Sequence, residues 1–293
     1  MPAQVGDSFV KTLITAPGGD YVLYYDVPLS EPGEWVPRAV RSSDGRTWEE
    51  VETGLPALID IDCIERGALG YLLLGNQVGL PGGNPTIWLS DDGISWERVH
   101  EFRQDTEWVQ VTDAGAGDEG FVVLGQRIAA DSSSYRRFAF ASSDGREWIE
   151  ATAPFGPDDP DYRPDMIVAG IGPDWIAASA SRDDSARFWR SANGLDWQPG
   201  GTILDAGTAG TWDPVLAELD GRLYFSIAGN GFPDGFAGAW TSVDAATWDA
   251  LDLGADAYLG GIAASDTTIV LTGTVIDDRT GLSVASVWVR SRH

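Results

Sequence analysis

Short apolar stretches separated by turn-forming residues recur along the whole chain. One well-preserved set comprises Leu58–Ile64, Tyr71–Gly75, Pro85–Leu89 and Trp96–Val99, each of a length typical of β-strands. The 36 Gly and 16 Pro residues are spread over the sequence, which disfavours long helices and favours tight turns. The pattern therefore predicts an all-β chain in which four short strands, A to D, form one repeat.

An aromatic-x-Ser motif marks the same point in successive repeats. Intact or eroded, it occurs as Val40-Arg41-Ser42, Trp88-Leu89-Ser90, Phe140-Ala141-Ser142, Trp189-Arg190-Ser191, Trp240-Thr241-Ser242 and Trp288-Val289-Arg290. The third residues of these motifs are separated by 48, 52, 49, 51 and 48 positions. A period of about fifty residues is typical of propellers and solenoids.

We therefore expect a single domain over 1–293, an all-β six-bladed β-propeller of four-stranded antiparallel blades. The predicted repeats cover approximately 8–53, 54–102, 103–155, 156–204, 205–254 and 255–293. Since the sixth repeat stops after strand C, we expect the N-terminal segment Pro2–Val5 to supply its outer strand and to close the ring.

A turn with a fixed residue order follows five of the six motifs. Its positions are Ser42, Asp44, Gly45 and Trp48; Ser90, Asp92, Gly93 and Trp96; Ser142, Asp144, Gly145 and Trp148; Ser191, Asn193, Gly194 and Trp197; and Ser242, Asp244 and Trp248. Asp or Asn caps turn amides, Gly accepts a positive φ, and Trp returns to cover the edge of the blade.

These turns resemble the Asp-box (BNR) repeat of sialidase-like and sortilin-like propellers, whose usual form is Ser-x-Asp-x-Gly-x-x-Trp. Each turn here is one residue shorter, Ser-x-Asp-Gly-x-x-Trp. The resemblance implies a propeller fold and a structural role for the boxes, since in such propellers they join strands C and D opposite the usual pocket.

Resemblance to sialidases further implies an arginine triad, a Tyr with a Glu partner, and an acid/base Asp in the pocket mouth. The nearest match is Tyr162-Arg163-Pro164-Asp165, at the entrance to strand A of the fourth repeat, with Asp213 as a second acid. The sialidase motif, Phe/Tyr-Arg-Ile-Pro, is expected in the first repeat, whereas this match lies in the fourth repeat and lacks the Ile. The sequence therefore assigns no catalytic residue.

Charge and ligand chemistry exclude several classes of partner. The formal charge of −26 repels nucleic acids, and no apolar stretch is long enough for membrane insertion. Zinc chemistry is disfavoured because the only His and Cys residues are His100, His293 and Cys63. Calcium is possible at acidic loops such as 158–161, but no calcium motif supports it, so we expect no cofactor.

The loops at the predicted channel mouth are the expected binding face. Its candidate ligand-binding residues are Trp108, Arg137, Tyr162, Arg163, Asp165, Trp212 and Asp213. We interpret the chain as a non-catalytic scaffold that recognises a protein or a carbohydrate, as a monomer, with an extracytoplasmic location implied by the resemblance. The alternatives are a divergent sialidase-like glycoside hydrolase or lyase, and an accessory factor in assembly.

Overall fold

The structure, a computed structural model, describes residues 9–28, 35–57, 59–77, 84–103, 107–129, 131, 134–152, 166–180, 185–203, 214–219, 221–228, 237–251, 257–264, 268–276 and 283–291. Two compact units divide the chain, Met1–Glu150 and Ala151–His293, and the boundary falls within a strand. Within the described ranges, no helix is long and apolar enough to cross a membrane.

The first unit contains three antiparallel sheets of four strands each. Sheet 1 consists of β1 (Phe9–Thr15), β2 (Tyr21–Pro28), β3 (Trp35–Ser42) and β4 (Glu49–Val51). Sheet 2 consists of β5 (Ile59–Gly67), β6 (Gly70–Gln77), β7 (Pro85–Ser90) and β8 (Glu97–Glu101). Sheet 3 consists of β9 (Glu107–Gly117), β10 (Gly120–Ala129), β11 (Tyr135–Ser142) and β12 (Ile149–Thr152). Each strand pairs with the next along the chain.

The second unit contains two further four-stranded sheets and one of three strands. Sheet 4 consists of β13 (Met166–Ile171), β14 (Asp174–Ala180), β15 (Ala186–Ser191) and β16 (Gln198–Ile203). Sheet 5 consists of β17 (Val215–Leu219), β18 (Arg222–Ala228), β19 (Ala237–Ser242) and β20 (Asp249–Ala250). Sheet 6 consists of β21 (Ala257–Ala264), β22 (Thr268–Ile276) and β23 (Ser283–Ser291).

The all-β class is confirmed, but the prediction of six four-stranded blades is wrong. The structure has five blades of four antiparallel strands, followed by a sheet of three. The physical reason lies in the last motif, where Arg290 replaces the Ser that would start a turn, and no fourth strand pairs with β23 among the described residues. The predicted closing strand, Pro2–Val5, lies outside those residues, and the single domain over 1–293 stays a prediction.

Apolar side chains hold successive sheets together within each unit. Between sheets 1 and 2, Tyr24 and Leu73 belong to one buried cluster. Between sheets 2 and 3, Leu74 packs in a cluster with Phe121 and Phe138. Sheets 4 and 5 are joined in the same way by a third cluster, which contains both Phe188 and Phe225. Burial of these large side chains stabilises each unit by about 2 kcal/mol per side chain.

The five turns at 42–48, 90–96, 142–148, 191–197 and 242–248, called here the Ser turns, share one hydrogen-bond pattern. In the second of them, the Ser90 hydroxyl oxygen accepts from the Asp92 amide at 3.3 Å. Asp92 Oδ1 accepts from the amides of Ile94 at 2.8 Å and Ser95 at 2.7 Å. These amide bonds outweigh burial and lower the pKa of Asp92 to about 2. The Ser turns are therefore closed by local bonds.

The Trp of the last three Ser turns folds back over its own turn. In the third turn Trp148 Nε1 donates to the Gly145 carbonyl at 3.0 Å, and the fourth and fifth turns repeat that bond. In the second turn Trp96 Nε1 donates instead to the Tyr24 hydroxyl at 2.8 Å, which donates to the Gly93 carbonyl at 2.6 Å. A side chain of sheet 1 thus ties down a turn of sheet 2.

Candidate functional site

The first strands of sheets 1, 2 and 3 carry a β-bulge at equivalent positions. In β1 the pairing with β2 skips Lys11, in β5 the pairing with β6 skips Asp62, and in β9 the pairing with β10 skips Thr112. These three residues follow one another at 51 and 50 positions, which is the repeat period. A bulge turns its extra residue away from the regular alternation and is common next to active sites.

The three bulges lie close together because the first strands lie side by side. β1 contacts β5, and β5 contacts β9. The ends of β5 and β9 coincide, since the Ala68 amide donates to the Gly117 carbonyl at 3.3 Å. The same carbonyl would be 2.9 Å from a Cβ at Gly67, so only glycine permits this approach. Three polar side chains are therefore brought to one region of the first unit.

Lys11 is held between two carboxylates. Its Nζ lies 3.2 Å from Asp26 Oδ2 and 2.5 Å from Asp60 Oδ1. Burial lowers the pKa of Lys11, but the hydrogen bonds and charges of the two acids outweigh burial and raise it. The Asp26 side chain is 7% exposed, and burial raises its pKa, an effect that Lys11 only partly offsets. Lys11 therefore stays charged and compensates a buried acid.

Asp62 is the acid that faces outward at the second bulge. Its Oδ2 accepts from Asn76 Nδ2 at 2.5 Å, and the residue is exposed. The protein around the carboxyl removes part of its hydration and, together with the charge of Asp60, raises the pKa of Asp62 to about 7. Lys11, Asp26, Asp60, Asp62 and Asn76 are called the bulge site from here on. At neutral pH the site holds one acid that both gains and releases a proton.

Two further acids lie along the same first strands. Glu65 of β5 is partly buried, and burial together with the charge of Asp113 of β9 raises the pKa of Glu65 to about 8. Between Asp62 and Glu65, burial and the nearby acids raise the pKa of the Cys63 thiol well above its usual value. A thiol in that state is a weak nucleophile, so the thiol chemistry of Cys63 is not part of the site.

An exposed aromatic ring accompanies the bulge site on β9. Trp108 is 53% exposed, and Gln110, two residues further along, shares its exposed strand face. Gln110 Oε1 accepts from Gln126 Nε2 at 2.7 Å. Because Asp60 of β5 is exposed at the position equivalent to Gln110, Trp108 and Asp60 belong to equivalent exposed faces of the adjacent strands β9 and β5.

The structure describes two of the seven predicted ligand-binding residues. Trp108 lies exposed near the start of β9. Arg137 lies in β11 and is 7% exposed, so its side chain is buried and is not offered to a ligand at the surface. The other five fall outside the described residues; they are Tyr162, Arg163, Asp165, Trp212 and Asp213. Their role stays a prediction.

Sequence reasoning missed all five residues of the bulge site. One signal was available, because Lys11 is the only lysine among the 19 basic residues and stands in a predicted strand. A second was the recurrence of polar residues at 11, 62 and 112, at the repeat period, inside strands that otherwise alternate. Neither signal predicts a bulge, because a bulge depends on how the strand pairs with its neighbour, which the sequence alone does not show.

The chemistry of the bulge site is that of carboxylates and amides. Among the described residues, no group of three or more His, Cys, Asp or Glu side chains is arranged to hold a metal ion. The carboxylates and the Asn76 amide can form hydrogen bonds with hydroxyl groups, and the Trp108 ring offers an apolar face. That combination of polar groups and one aromatic ring is suited to a sugar.

Comparison with known proteins finds similarity in fold but not in sequence. No protein-family model matches the chain, and no curated protein matches its sequence. The Hadza microbial sialidase Hz136 superposes with a TM-score of 0.58 at 16% identity, covering 90% of this chain and 63% of that one. The polysaccharide lyase Uly1 superposes with a TM-score of 0.55 at 13% identity, covering 80% and 57%.

A third solved structure carries a different activity on a similar fold. The Pyrococcus horikoshii acylaminoacyl peptidase superposes with a TM-score of 0.58 at 8% identity, covering 97% of this chain and 46% of that one. The chain spans less than two thirds of the length of each of the three proteins. At such identities the likeness shows the fold alone, which is a sialidase-like propeller.

Proposed function

We propose that the chain recognises carbohydrate, and that the ligand lies on the bulge site and against Trp108. The observation that carries this proposal is the set of three equivalent bulges, at Lys11, Asp62 and Thr112. The bulges lie at equivalent positions of β1, β5 and β9. Each bulge changes the face on which the polar side chain lies compared with regular pairing. In sheet 6 the corresponding bulge of β21 falls on Gly260, which has no side chain, so it is the polar side chains at the first three bulges, and not the bulges themselves, that support a site.

The groups around the bulges support a sugar rather than an apolar ligand. Asp62 and Asn76 together offer acceptors and donors that match sugar hydroxyl groups. Trp108 offers a ring face that is 53% exposed and that stacks against the C–H side of a pyranose. The sialidase and polysaccharide lyase folds that the chain resembles are carried by proteins named for action on carbohydrates.

A glycan array tests the proposal. The purified chain is screened first, and ligands found there are measured by calorimetry against Asp62→Asn and Trp108→Ala, two exposed positions where substitution leaves the buried clusters intact. Each variant is expected to weaken binding about tenfold. Asp118→Asn is the matched control, because it makes the same change at an exposed position at the opposite end of β9. An empty array would overturn the proposal, and so would equal binding by all three variants.

Hydrolysis of the bound glycan is a second candidate function, and it is favoured by one observation. Glycosidases pair an acid of raised pKa with an ionised carboxylate. Asp62 has a pKa raised to about 7, and Asp60, two residues away, forms an ion pair with Lys11. The charged side chains of the bulge site are one Lys and three Asp, a net negative charge that favours a neutral or basic sugar over a sialic acid.

Turnover of aryl glycosides tests this second function. With a substrate that is hydrolysed, kcat/KM should fall as the pH rises above about 7, because the acid must be protonated to act. Asp62→Asn should lower kcat about 100-fold or more, while Asp118→Asn leaves it unchanged. If no glycoside is turned over, or if Asp62→Asn keeps full kcat, recognition without catalysis is the function that stands.

We also propose that the Ser turns are shortened Asp-boxes with a structural role. The supporting evidence is that two bonds recur in all five turns: the Ser hydroxyl oxygen accepts from the amide two residues further on, and the Asp or Asn Oδ1 accepts from the amide three residues after it. Their acids are engaged by their own backbone, so none of them is offered to a ligand.

A further inference from the structure

An exposed ring and an exposed amide stand side by side at the start of β9. Trp108 and Gln110 are two residues apart on that strand, so their side chains lie on the same strand face with a spacing of about 7 Å. Both residues are exposed. A single strand fixes this spacing, so a sugar stacked on the ring lies within reach of the amide.

A buried side chain orients the Gln110 amide. Gln126 of β10 pairs with Gln110 in the strand register and is 6% exposed. Its Nε2 donates to Gln110 Oε1 at 2.7 Å. Because the Gln110 oxygen is engaged by a buried residue, the two N–H groups of its Nε2 are the part of the amide left for a partner outside the sheet. The exposed end of this pair is therefore a donor held in place from within the sheet.

The chemistry of a fixed donor indicates which sugar lies against Trp108. Resting on the proposed function, we propose that Gln110 determines specificity, and that the sugar unit on Trp108 is a neutral N-acetylhexosamine whose acetamido carbonyl accepts from Gln110 Nε2. Amide N–H groups only donate, so a group that only accepts is their best match. Sugar hydroxyl groups both donate and accept, whereas the carbonyl oxygens of acetamido and carboxylate groups only accept.

Charge separates those two acceptors. Glu107 directly precedes Trp108, and the whole chain carries a formal charge of −26, a field that repels the carboxylates of uronic and sialic acids. Arg137 pairs with Gln126 in the strand register, but it is 7% exposed, so its charge is not offered at the surface. The uncharged acetamido carbonyl is therefore the acceptor that fits beside Trp108.

The neighbour of the ring suits the rest of the acetamido group. Ile128 of β10 pairs with Trp108 in the strand register, so the two side chains share a face, and Ile128 is half-buried. Its exposed part adds apolar surface next to the ring. The acetamido methyl group can pack on that surface while the Trp108 ring stacks on the C–H side of the pyranose.

The test uses two oligomers of the same linkage that differ only in one substituent of each ring. These are an N-acetylglucosamine hexamer, with acetamido groups, and a glucose hexamer, with hydroxyl groups. Calorimetry at pH 7.5 should show the N-acetylglucosamine hexamer binding about tenfold more tightly. Gln110→Met keeps the length of the side chain but removes the donor, so the preference should fall below about twofold. Trp108→Ala should weaken the binding of both hexamers.

Two more variants complete the test. Gln126→Met leaves the Gln110 amide free to rotate and should also reduce the preference, with a thermal melt to show that the variant is folded. Gln198→Met is the matched control, because it makes the same change at an exposed strand position of sheet 4. It should keep the full preference.

The outcomes separate the two proposals. Equal binding of the two hexamers, or a preference that survives Gln110→Met or a folded Gln126→Met, overturns the N-acetylhexosamine inference and leaves the carbohydrate proposal in place. The same follows if a galacturonic acid hexamer binds more tightly than the N-acetylglucosamine hexamer, or if only other glycans of the array bind. If no glycan binds, both proposals are overturned. A preference that is lost in Gln110→Met and kept in Gln198→Met supports the inference.

Discussion

Replacement of Lys11 by Met is the perturbation that tests the bulge site most sharply without a ligand. The substitution keeps an apolar stem of similar length and removes the ammonium that lies 3.2 Å from Asp26 and 2.5 Å from Asp60. The side chain of Asp60 is 50% exposed, so its loss of a partner costs less than about 1 kcal/mol. The side chain of Asp26 is 7% exposed, so its loss of a partner dominates the effect.

The magnitude follows from that buried acid. Removing one partner of a buried pair costs about 3–5 kcal/mol, and the 26% exposure of the Lys11 side chain favours the lower limit. We therefore expect Lys11→Met to lower the free energy of unfolding by about 3 kcal/mol at pH 8. The double variant with Asp26→Asn should recover most of the loss, because the uncompensated charge is gone.

The loss should depend on pH. Burial already raises the pKa of Asp26, and the variant lacks the Lys11 charge and hydrogen bond that lower it. A folded pKa above that of the unfolded chain means that the folded chain holds the proton longer, so stability falls as the pH rises between the two values. Lys11→Met should accordingly cost less at pH 5 than at pH 8.

Urea denaturation followed by Trp fluorescence at pH 5, 6.5 and 8 measures this loss. Lys11→Arg is the control, because it keeps the positive charge, and it should cost less than half as much as Lys11→Met. A loss below about 1 kcal/mol at pH 8 would refute the reasoning, as would a loss that is equal at pH 5 and pH 8.

Three other predictions concern the Ser turns and Glu65. Gly145→Ala should destabilise by about 2 kcal/mol, since its φ is +72° and the new Cβ would lie 2.5 Å from a Leu89 methyl group. Ala245→Gly is the matched change, at a φ of 57°. It should change the free energy of unfolding by less than about 1 kcal/mol, because relief of backbone strain offsets the lost packing of the methyl group. Thermal melts of Gly145→Ala and Ala245→Gly measure the two changes. Asp92→Ala should lower the free energy of unfolding by about 1 kcal/mol at pH 7, and this loss should shrink as the pH falls from about 4 through the folded pKa of about 2, because the carboxylate becomes protonated; an unchanged urea midpoint at pH 7 would contradict it. Glu65→Gln should flatten the loss of stability between pH 5 and pH 8, since a folded pKa of about 8 makes the native chain hold a proton that the unfolded chain has released; parallel pH profiles would contradict it.

Local features of the fold could be predicted from the sequence. The Ser turns were recognisable because each is closed by bonds between residues two or three positions apart, as in the Asp92 turn. The strands of the second repeat were predicted within a few residues, with β5 foreseen as Leu58–Ile64 and found as Ile59–Gly67. The absence of a turn after Arg290 should have limited the four-stranded blades to five.

Features that depend on pairing between strands could not be predicted. The apolar and polar alternation of Ile59 to Cys63 reads as a regular strand, and only the partner strand shows that Asp62 is the extra residue. The burial of Arg137 is also decided by its neighbours: polar residues such as Ser134-Tyr135-Arg136-Arg137 are typical of an exposed loop, but the structure places Arg137 in β11 with 7% exposure. The candidate site therefore emerged from the structure and not from the motifs.

The sole lysine allows the most direct test of the bulge site. Reductive methylation with ¹³C formaldehyde keeps the charge of Lys11 and labels only its amine and the N-terminal amine, whose lower pKa distinguishes its signal. Titration with a glycan that binds the chain on the array is then followed by NMR, alongside calorimetry of the same sample. If the glycan lies on the bulge site, the Lys11 signal shifts and saturates with the affinity that calorimetry measures. An unchanged Lys11 signal during measurable binding would contradict it.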